Sequence, residues 1–296
     1  LYRLDSGQDA LGARVGLIER AEQTIDIQSY LIKDDVSGNL IALHLAVAAD
    51  RGVRVRLLMD DALTEQVDSG LLSLDKHDNI EVRVFNPFPR RRSRFISLLA
   101  NFNILNRRMH NKTFTVDNQV TIVGGRNLAD EYYQTGGKTE VIDEDLLVIG
   151  PRVDDVSDGF DEYWNSAEAI PMAAFDKMVA HSGVVESIKE ARRYVDEHID
   201  TPFLQGVDGR LIEDFIAGRL GLVGGEAEVV QDRPDKVHNF VRRRASVTTD
   251  YLQKMVSAAN KELIVISPYF VPQQQGVDFF GALVKKGVRV VIISNS

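Results

Sequence analysis

Apolar and polar positions along the chain predict alternating strands and helices. Runs rich in branched residues predict strands at 1–4, 24–32, 53–60, 80–85, 143–150 and 226–231. Apolar residues at helical spacing predict helices at 10–21, 40–50, 71–75, 153–167, 171–198 and 211–220. The order strand, helix, strand over 24–60 is a βαβ unit, so we expect a parallel strand pair within an α/β fold.

The pattern of this unit starts again near the end of the sequence. AEQTIDIQSYLI at 21–32 matches ANKELIVISPYF at 259–270, and ADRGVRVRLLMD at 49–60 matches VKKGVRVVIISN at 284–295. Both copies place a glycine just before the second strand. The sequence therefore predicts an internal repeat of one α/β unit.

Candidate chemistry is concentrated around a predicted hairpin at 113–123, with a turn at Asp117 and Asn118. His110 and Lys112 precede the hairpin, and side chains two apart on a strand share a face. The hairpin is followed by Gly124, Gly125 and Asn127, and glycine lets backbone approach a ligand closely. An imidazole, an ammonium and an amide beside a glycine turn suit a phosphodiester substrate.

The spacing H-x-K-x4-D is weak by itself, but G-G-x-N follows it after six residues. The complete pattern resembles the signature of the phospholipase D superfamily. The longer run RRMHNKTFTVDNQVTIVGGRNLADEYY, with FDEYWNS at 160–166, is similar to the bacterial cardiolipin synthase branch. This resemblance implies an α/β fold whose repeat is a mixed sheet flanked by helices. We accordingly expect a first repeat at 1–169, a helical connection at 170–225 and the start of a second copy at 226–296.

The resemblance also assigns roles within the motif. It makes His110 the nucleophile that forms a phosphohistidine, and it makes Lys112 and Asn127 ligands of the nonbridging phosphate oxygens. Asp117 belongs to the catalytic motif, with a structural role at the turn. Asp143 is our choice for the partner of the second His110 ring nitrogen, with Asp145 as an alternative on the same strand face.

Four more residues are candidates for substrate binding: Gly124, Gly125, Arg107 and Arg108. The resemblance implies no metal and no cofactor. It does imply a second histidine that protonates the leaving group. That residue is expected from a second motif beyond the sequence, near position 345, or from a dimer partner.

The implied function is phosphatidyl transfer that makes cardiolipin from phosphatidylglycerol and a second phospholipid. Hydrolysis of phospholipid uses the same residues and remains an alternative. A nuclease-like phosphodiesterase and a non-catalytic scaffold also remain open. The start of a second repeat argues against the short, dimeric nucleases, so no nucleic-acid partner is expected.

Charge distribution adds a membrane hypothesis. The net charge is −9, yet residues 82–116 hold eight Lys and Arg residues and no Asp or Glu. Within this stretch, 95–105 has apolar residues on one helical face. This segment is either an interfacial helix, an ordinary core-facing helix or a disordered lid. If the segment is an interfacial helix, the expected partner of Arg90–Arg108 is an anionic membrane surface.

The amino-acid composition excludes some kinds of chemistry, and the expected cellular location follows from the family resemblance. The absence of cysteine excludes disulfides and thiolate catalysis. No run of 18 apolar residues is present, so we expect no transmembrane helix. The expected location is the cytoplasm, peripherally associated with the inner membrane.

Overall fold

The structure is a computed structural model that describes residues 1–61, 67–87, 108–135, 140–178, 184–207, 209–237, 247–267 and 270–294. The chain divides into two compact units. One comprises 1–229 with 233–238, and the other comprises 230–232 with 239–296. The helical connection predicted at 170–225 lies within the first unit.

A mixed sheet of eight strands forms the centre of the first unit. The strands are β1 (Tyr2–Leu4), β2 (Thr24–Ser29), β3 (Arg54–Asp60), β4 (Ile80–Phe85), β5 (Thr113–Val116), β6 (Val120–Gly124), β7 (Asp145–Ile149) and β8 (Ala169–Pro171). Their spatial order is β1-β7-β6-β5-β2-β3-β4-β8. The β2, β3 and β4 strands are parallel, and the other neighbouring pairs are antiparallel. The predicted mixed α/β sheet is confirmed.

Helices cover both faces of this sheet. They are α1 (Gly7–Arg20), α2 (Val36–Asp50), α3 (Asp68–Asp75), α4 (Arg152–Trp164), α5 (Val184–His198), α6 (Pro202–Gln205) and α7 (Arg210–Ile216). Neighbouring residues of one strand serve opposite cores, because side chains alternate along a strand. Leu57 belongs to the large core with α1 and α2, whereas Leu58 packs with Phe160 and Tyr163 of α4.

Capping side chains explain why two helices begin earlier than apolar spacing alone predicts. The Ser6 side chain accepts a hydrogen bond from the Asp9 amide, and α1 starts at Gly7. The Asp35 side chain accepts one from the Gly38 amide, and α2 starts at Val36 rather than at 40. Each cap supplies an acceptor for an amide that has no partner within its helix.

Arg56 of β3 attaches α4 to the sheet. Its guanidinium donates to both carboxylate oxygens of Asp26, at 2.6 and 2.7 Å, and to Asp161 at 2.7 Å. It also lies over the rings of Phe160 and Trp164, at 4.8 and 5.5 Å from their centroids. The FDEYW part of the α4 sequence therefore has a packing role in the described structure.

The second unit contains a β-α-β element of the kind seen in the first. Strands β9 (Glu262–Ile266) and β10 (Arg289–Ile293) are parallel and are joined by a helix at Gln273–Lys285. A further helix, Val247–Ser257, precedes β9. This arrangement agrees with the β2-α2-β3 element and with the sequence match between the copies.

Two predicted elements differ from the structure. The strand predicted at 226–231 is wrong, because these residues are irregular and none of them is buried. Two adjacent valines favour a strand, but strand propensity is realised only when side chains pack against neighbours. The helix predicted at 171–198 is instead a 3-10 segment at Met172–Met178 and the separate helix α5, with 179–183 outside the described residues.

The segment Arg90–Arg108 lies outside the described residues except for Arg108. Within the part of the chain that is described, no helix has both the length and the apolar character needed to cross a bilayer.

We predict that Arg56→Ala lowers the free energy of unfolding by about 3–5 kcal/mol, because it leaves the buried Asp26 carboxylate without its cation. Urea unfolding followed by circular dichroism measures the change. Arg152→Ala is the matched control, since Arg152 pairs with Asp155 on the surface. Equal stability of the two variants would contradict the assigned role of Arg56.

Candidate active site

Most of the motif residues meet at one end of the central sheet. Gln28 near the end of β2 pairs with Thr113 at the start of β5, and Thr113 also pairs with Val123 near the end of β6. Gly124 in turn pairs with Asp145 at the start of β7. The segments carrying His110, Lys112 and the glycine turn are therefore adjacent in space.

His110 is exposed, whereas Arg108, Met109 and Lys112 on either side of it are buried. Its neighbour Met109 is fully buried, and the Met109 amide donates to Asp60 at 3.0 Å. The His110 ring packs against Tyr30, with ring centroids 5.0 Å apart and planes tilted by 55°. The expected strand does not reach His110, because β5 begins only at Thr113.

Lys112 is buried, and its ammonium nitrogen points back along the chain. Nζ donates to the His110 carbonyl at 2.9 Å and lies 5.5 Å from the Tyr30 ring centroid. Burial lowers the pKa of Lys112 to about 8, while the carboxylates of Asp143, Asp60 and Asp145 act in the opposite direction. The Lys112 side chain is thus mostly protonated at neutral pH and loses its proton at mildly alkaline pH.

The two glycines of the turn make room for carboxylates. A Cβ on Gly125 would collide with the Asp143 side chain, and one on Gly124 would collide with the Asp145 side chain. The irregular segment before β7 carries Asp143, and its carboxylate accepts a hydrogen bond from the Glu144 amide at 2.8 Å. Asp143 acts electrostatically on Lys112. Its role as partner of the His110 imidazole stays a prediction.

Two arginines surround Asp145, the alternative partner of His110, and its role towards the imidazole stays a prediction. Its carboxylate lies 2.9 Å from the guanidinium of Arg14 and 3.6 Å from that of Arg126. All three side chains are buried. The Arg126 guanidinium also donates to the carbonyls of Leu4 at 3.0 Å, Asp5 at 3.0 Å and Tyr132 at 3.2 Å. This ion cluster fixes the shape of the glycine turn.

Asn127 follows the cluster and is also buried. Its side chain acts on the Tyr132 hydroxyl and opposes the rise that burial causes in the pKa of that tyrosine. Its Oδ1 has no hydrogen-bond partner among the described residues. An amide has one acceptor and two N–H donors, so contact with one hydroxyl leaves polar capacity for a ligand. Tyr132 was not singled out by the sequence, where it stands only as part of an aromatic pair.

Arg108 anchors the start of the motif. Its guanidinium donates to the Asn86 carbonyl at 2.6 Å and lies 3.5 Å from the Asp60 carboxylate. The side chain is buried. Its predicted contact with substrate stays a prediction. Arg107 lies outside the described residues.

Asp117 occupies the opposite end of the β5–β6 hairpin. Its carboxylate accepts three backbone N–H groups, those of Glu22 at 2.9 Å, Gln23 at 2.8 Å and Thr24 at 2.8 Å. Asp117 and Asn118 both have positive φ, as a tight hairpin turn requires. The four residues of β5 span about 14 Å between this turn and Lys112. The geometry supports the structural role and separates Asp117 from the chemistry.

Three residues that the sequence analysis overlooked frame the site. Tyr30 and Asp60 lie at the ends of the parallel strands β2 and β3, and Arg14 comes from α1. Ends of parallel strands are common ligand sites, and that rule points to Tyr30 and Asp60. Nothing in the α1 pattern distinguishes Arg14. Among the described residues, no group of three or more His, Asp or Glu side chains is arranged to hold a metal ion.

Residues 15–164 match a family model described as "Cardiolipin synthase, PLD-like domain". This match covers half of the chain and includes every motif residue discussed above. The chain belongs to this PLD-like family.

Full-length relatives extend the similarity beyond the domain. The chain is 38% identical over 297 residues to cardiolipin synthase C of Escherichia coli, covering 100% of this chain and 62% of that protein. It is 27% identical to a cardiolipin synthase of Oceanobacillus iheyensis, covering 97% of this chain and 49% of that protein. The chain thus spans about half to three fifths of the length of these PLD-like relatives.

A solved structure supports the fold. The phosphatidylserine synthase of Haemophilus influenzae superposes with a TM-score of 0.61 at 13% identity, covering 99% of this chain and 61% of that one. The α/β fold expected from the sequence is therefore confirmed for this PLD-like chain.

We predict that Lys112 titrates with a midpoint near pH 8, whereas exposed lysines titrate near pH ~10.4. The physical reason is that burial disfavours its charged form. NMR of the 296-residue chain labelled with ¹³Cε-lysine measures the midpoint, and the resonance missing from Lys112→Arg assigns it. A midpoint above 10 would show that the ammonium is solvated.

Proposed function

We propose that the gene product containing this chain transfers phosphatidyl groups between phospholipids. The observation that carries the proposal is the meeting of three groups at one end of the sheet. These are an exposed imidazole at His110, a buried ammonium at Lys112 and an amide with unused polar capacity at Asn127. The family match and the relatives named cardiolipin synthase support the same reaction.

In the proposed first step, a ring nitrogen of His110 attacks the phosphorus of phosphatidylglycerol. The bond to the glycerol head-group oxygen breaks, and that oxygen takes a proton from a general acid. The phosphatidyl group is then held on His110 as a phosphohistidine. Lys112 contributes its positive charge, and Asn127 a hydrogen bond, to the nonbridging oxygens, whose negative charge grows during the attack.

In the second step, a hydroxyl group of another phospholipid attacks the phosphohistidine. It gives its proton to the group that served as acid, and the bond between phosphorus and the imidazole breaks. The products are cardiolipin and free glycerol. Water in place of the lipid hydroxyl would give phosphatidic acid, so transfer and hydrolysis differ in what reaches the intermediate.

The general acid in this scheme is a second histidine. Imidazole suits this role because its pKa lies close to neutral pH. We propose that it comes from a second motif elsewhere in the gene product or from a second copy of the chain.

The complete gene product, incubated with labelled phosphatidylglycerol, tests the proposal. Separation of the lipid products distinguishes cardiolipin from phosphatidic acid. Formation of cardiolipin with release of glycerol supports transfer, and phosphatidic acid alone indicates hydrolysis. No turnover of phospholipid, together with cleavage of single-stranded DNA, would overturn the lipid assignment.

We predict that His110→Ala reduces turnover below about 1% of the wild-type rate, since the covalent step has no other nucleophile in the motif. The measured quantity is the initial rate of glycerol release. His198→Gln is the matched control, because His198 lies on α5 and bonds to the Tyr194 carbonyl instead. A His110→Ala rate above a few per cent of wild type would remove His110 from the nucleophile role.

We further propose that Arg90–Arg108 holds the protein at an anionic membrane surface on the cytoplasmic side of the inner membrane. Basic residues near a bilayer contribute roughly 1 kcal/mol each, and salt screens that attraction.

Vesicle co-sedimentation at rising salt concentration tests this membrane contact. We predict that binding to phosphatidylglycerol vesicles weakens with salt, and that replacing Arg91, Arg92 and Arg94 with Ser weakens it further. Neutral phosphatidylcholine vesicles are the control. Binding that is insensitive both to salt and to the substitutions would contradict the electrostatic contact.

A further inference from the structure

Tyr30 contacts two groups of the proposed reaction. It follows the last residue of β2, and its side chain is half-buried. The ring centroid lies 5.0 Å from that of His110 and 5.5 Å from Lys112 Nζ. One aromatic ring therefore contacts the proposed nucleophile and the proposed phosphate ligand at the same time.

The Tyr30 ring contacts the His110 imidazole itself, whereas two hydrogen bonds hold the main chain around it. The main chain before it is held by the bond from the Met109 amide to Asp60. The main chain at His110 is held by the bond from Lys112 Nζ to the His110 carbonyl. Both of these bonds act on the backbone rather than on the imidazole. Packing against the Tyr30 ring restricts the imidazole to a smaller range of directions.

Lys112 benefits from the same ring through a different interaction. A buried ammonium loses hydration, and the electron-rich face of an aromatic ring attracts a cation within about 6 Å. The charged groups that act on Lys112 are Asp60 at the end of β3, together with Asp143 and Asp145 around the start of β7. The Tyr30 ring, which follows β2, adds a further attraction for the ammonium to those of the carboxylates.

Both contacts are made by the ring rather than by the hydroxyl group. The tyrosine hydroxyl lies in a region influenced by Asp60, Arg108 and Tyr132. Burial raises the pKa of Tyr30 above its ordinary value, so the hydroxyl stays neutral at physiological pH. A neutral hydroxyl is a poor nucleophile and a poor base, which makes the aromatic face the functional part.

We infer that Tyr30 is a positioning residue, whose ring orients the His110 imidazole and keeps the Lys112 ammonium charged within the buried end of the sheet. The inference rests on the proposed function for the meaning of these two roles. It concerns a residue outside the H-x-K-x4-D and G-G-x-N motifs, contributed by the neighbouring strand.

Two substitutions separate the ring from the hydroxyl. Tyr30→Phe keeps the ring, whereas Tyr30→Leu keeps an apolar side chain and removes the aromatic face. Tyr194→Leu is the matched control. It removes another tyrosine–histidine contact, that of Tyr194 with His198 on α5, where the ring centroids are 4.5 Å apart.

The first readout is kcat of the complete gene product on phosphatidylglycerol. We expect Tyr30→Phe and Tyr194→Leu to stay within about threefold of wild type. We expect Tyr30→Leu to lose roughly 10- to 100-fold, which is the scale of a misoriented catalytic group. Circular dichroism and the urea midpoint show whether each variant is folded.

The second readout is the ¹³Cε titration of Lys112 in the 296-residue chain, which needs no activity. We expect Tyr30→Leu to lower the midpoint by roughly half a pH unit, because a cation–π contact of ordinary strength is lost. Tyr30→Phe should leave the midpoint unchanged. A shift in this titration without phospholipid turnover by the wild type would count against the proposed function and still support the Tyr30–Lys112 contact.

Three results would overturn the inference. The first is a folded Tyr30→Leu variant with wild-type kcat and an unmoved Lys112 titration. The second is a loss of kcat with no movement of Lys112, which is what a general packing defect produces. The third is a Tyr30→Phe variant as impaired as Tyr30→Leu, which would transfer the role from the ring to the hydroxyl.

Discussion

The carboxylate of Asp145 is the buried charge on which the shape of the site depends. An ionised carboxylate taken out of water is very costly unless cations and hydrogen bonds surround it. Here α1 supplies Arg14, and the glycine turn supplies Arg126 and its amide, 3.2 Å from the carboxylate. Arg14 also lies 5.7 Å from the centroid of the Tyr133 ring, and burial raises the pKa of that phenol to about 12. The neutral phenol adds no second negative charge to this region.

This cluster connects distant parts of the chain to the turn that presents Asn127. Arg126 donates to the carbonyls of Leu4, the last residue of β1, and of Asp5 after it, while Asp145 begins β7. Gly124 must lack a side chain because the Asp145 carboxylate occupies that space. The ion cluster therefore constrains the G-G-R-N sequence, because both Gly124 and Arg126 contact Asp145. The same turn carries Asn127, whose part in the chemistry is proposed above.

The sequence predicted the sheet well because strand signals are local. Branched residues identify β3, β4 and the hairpin to within about a residue, whereas the strand predicted at 24–32 ends at Ser29. Contacts between residues far apart in the sequence were harder to predict. Arg14 and Asp145 are 131 positions apart, and an arginine in a helix ordinarily faces solvent. The strand predicted at 226–231 failed for the converse reason, since local propensity was present but these residues pair with no strand in the described structure. Tyr30 could have been found by asking which residues follow the ends of the parallel strands.

The two ends of the β5–β6 hairpin divide the H-x-K-x4-D signature into parts with different physical meaning. His110 and Lys112 stand at the end where a ligand would bind, and Asp117 ties the other end to the start of β2. A relative that keeps the aspartate but lacks the histidine can still close the hairpin on its sheet. Partial matches to the signature therefore carry unequal information. The aspartate indicates that the hairpin can be tied to the start of β2, and the histidine–lysine pair indicates whether the groups of the proposed chemistry are present.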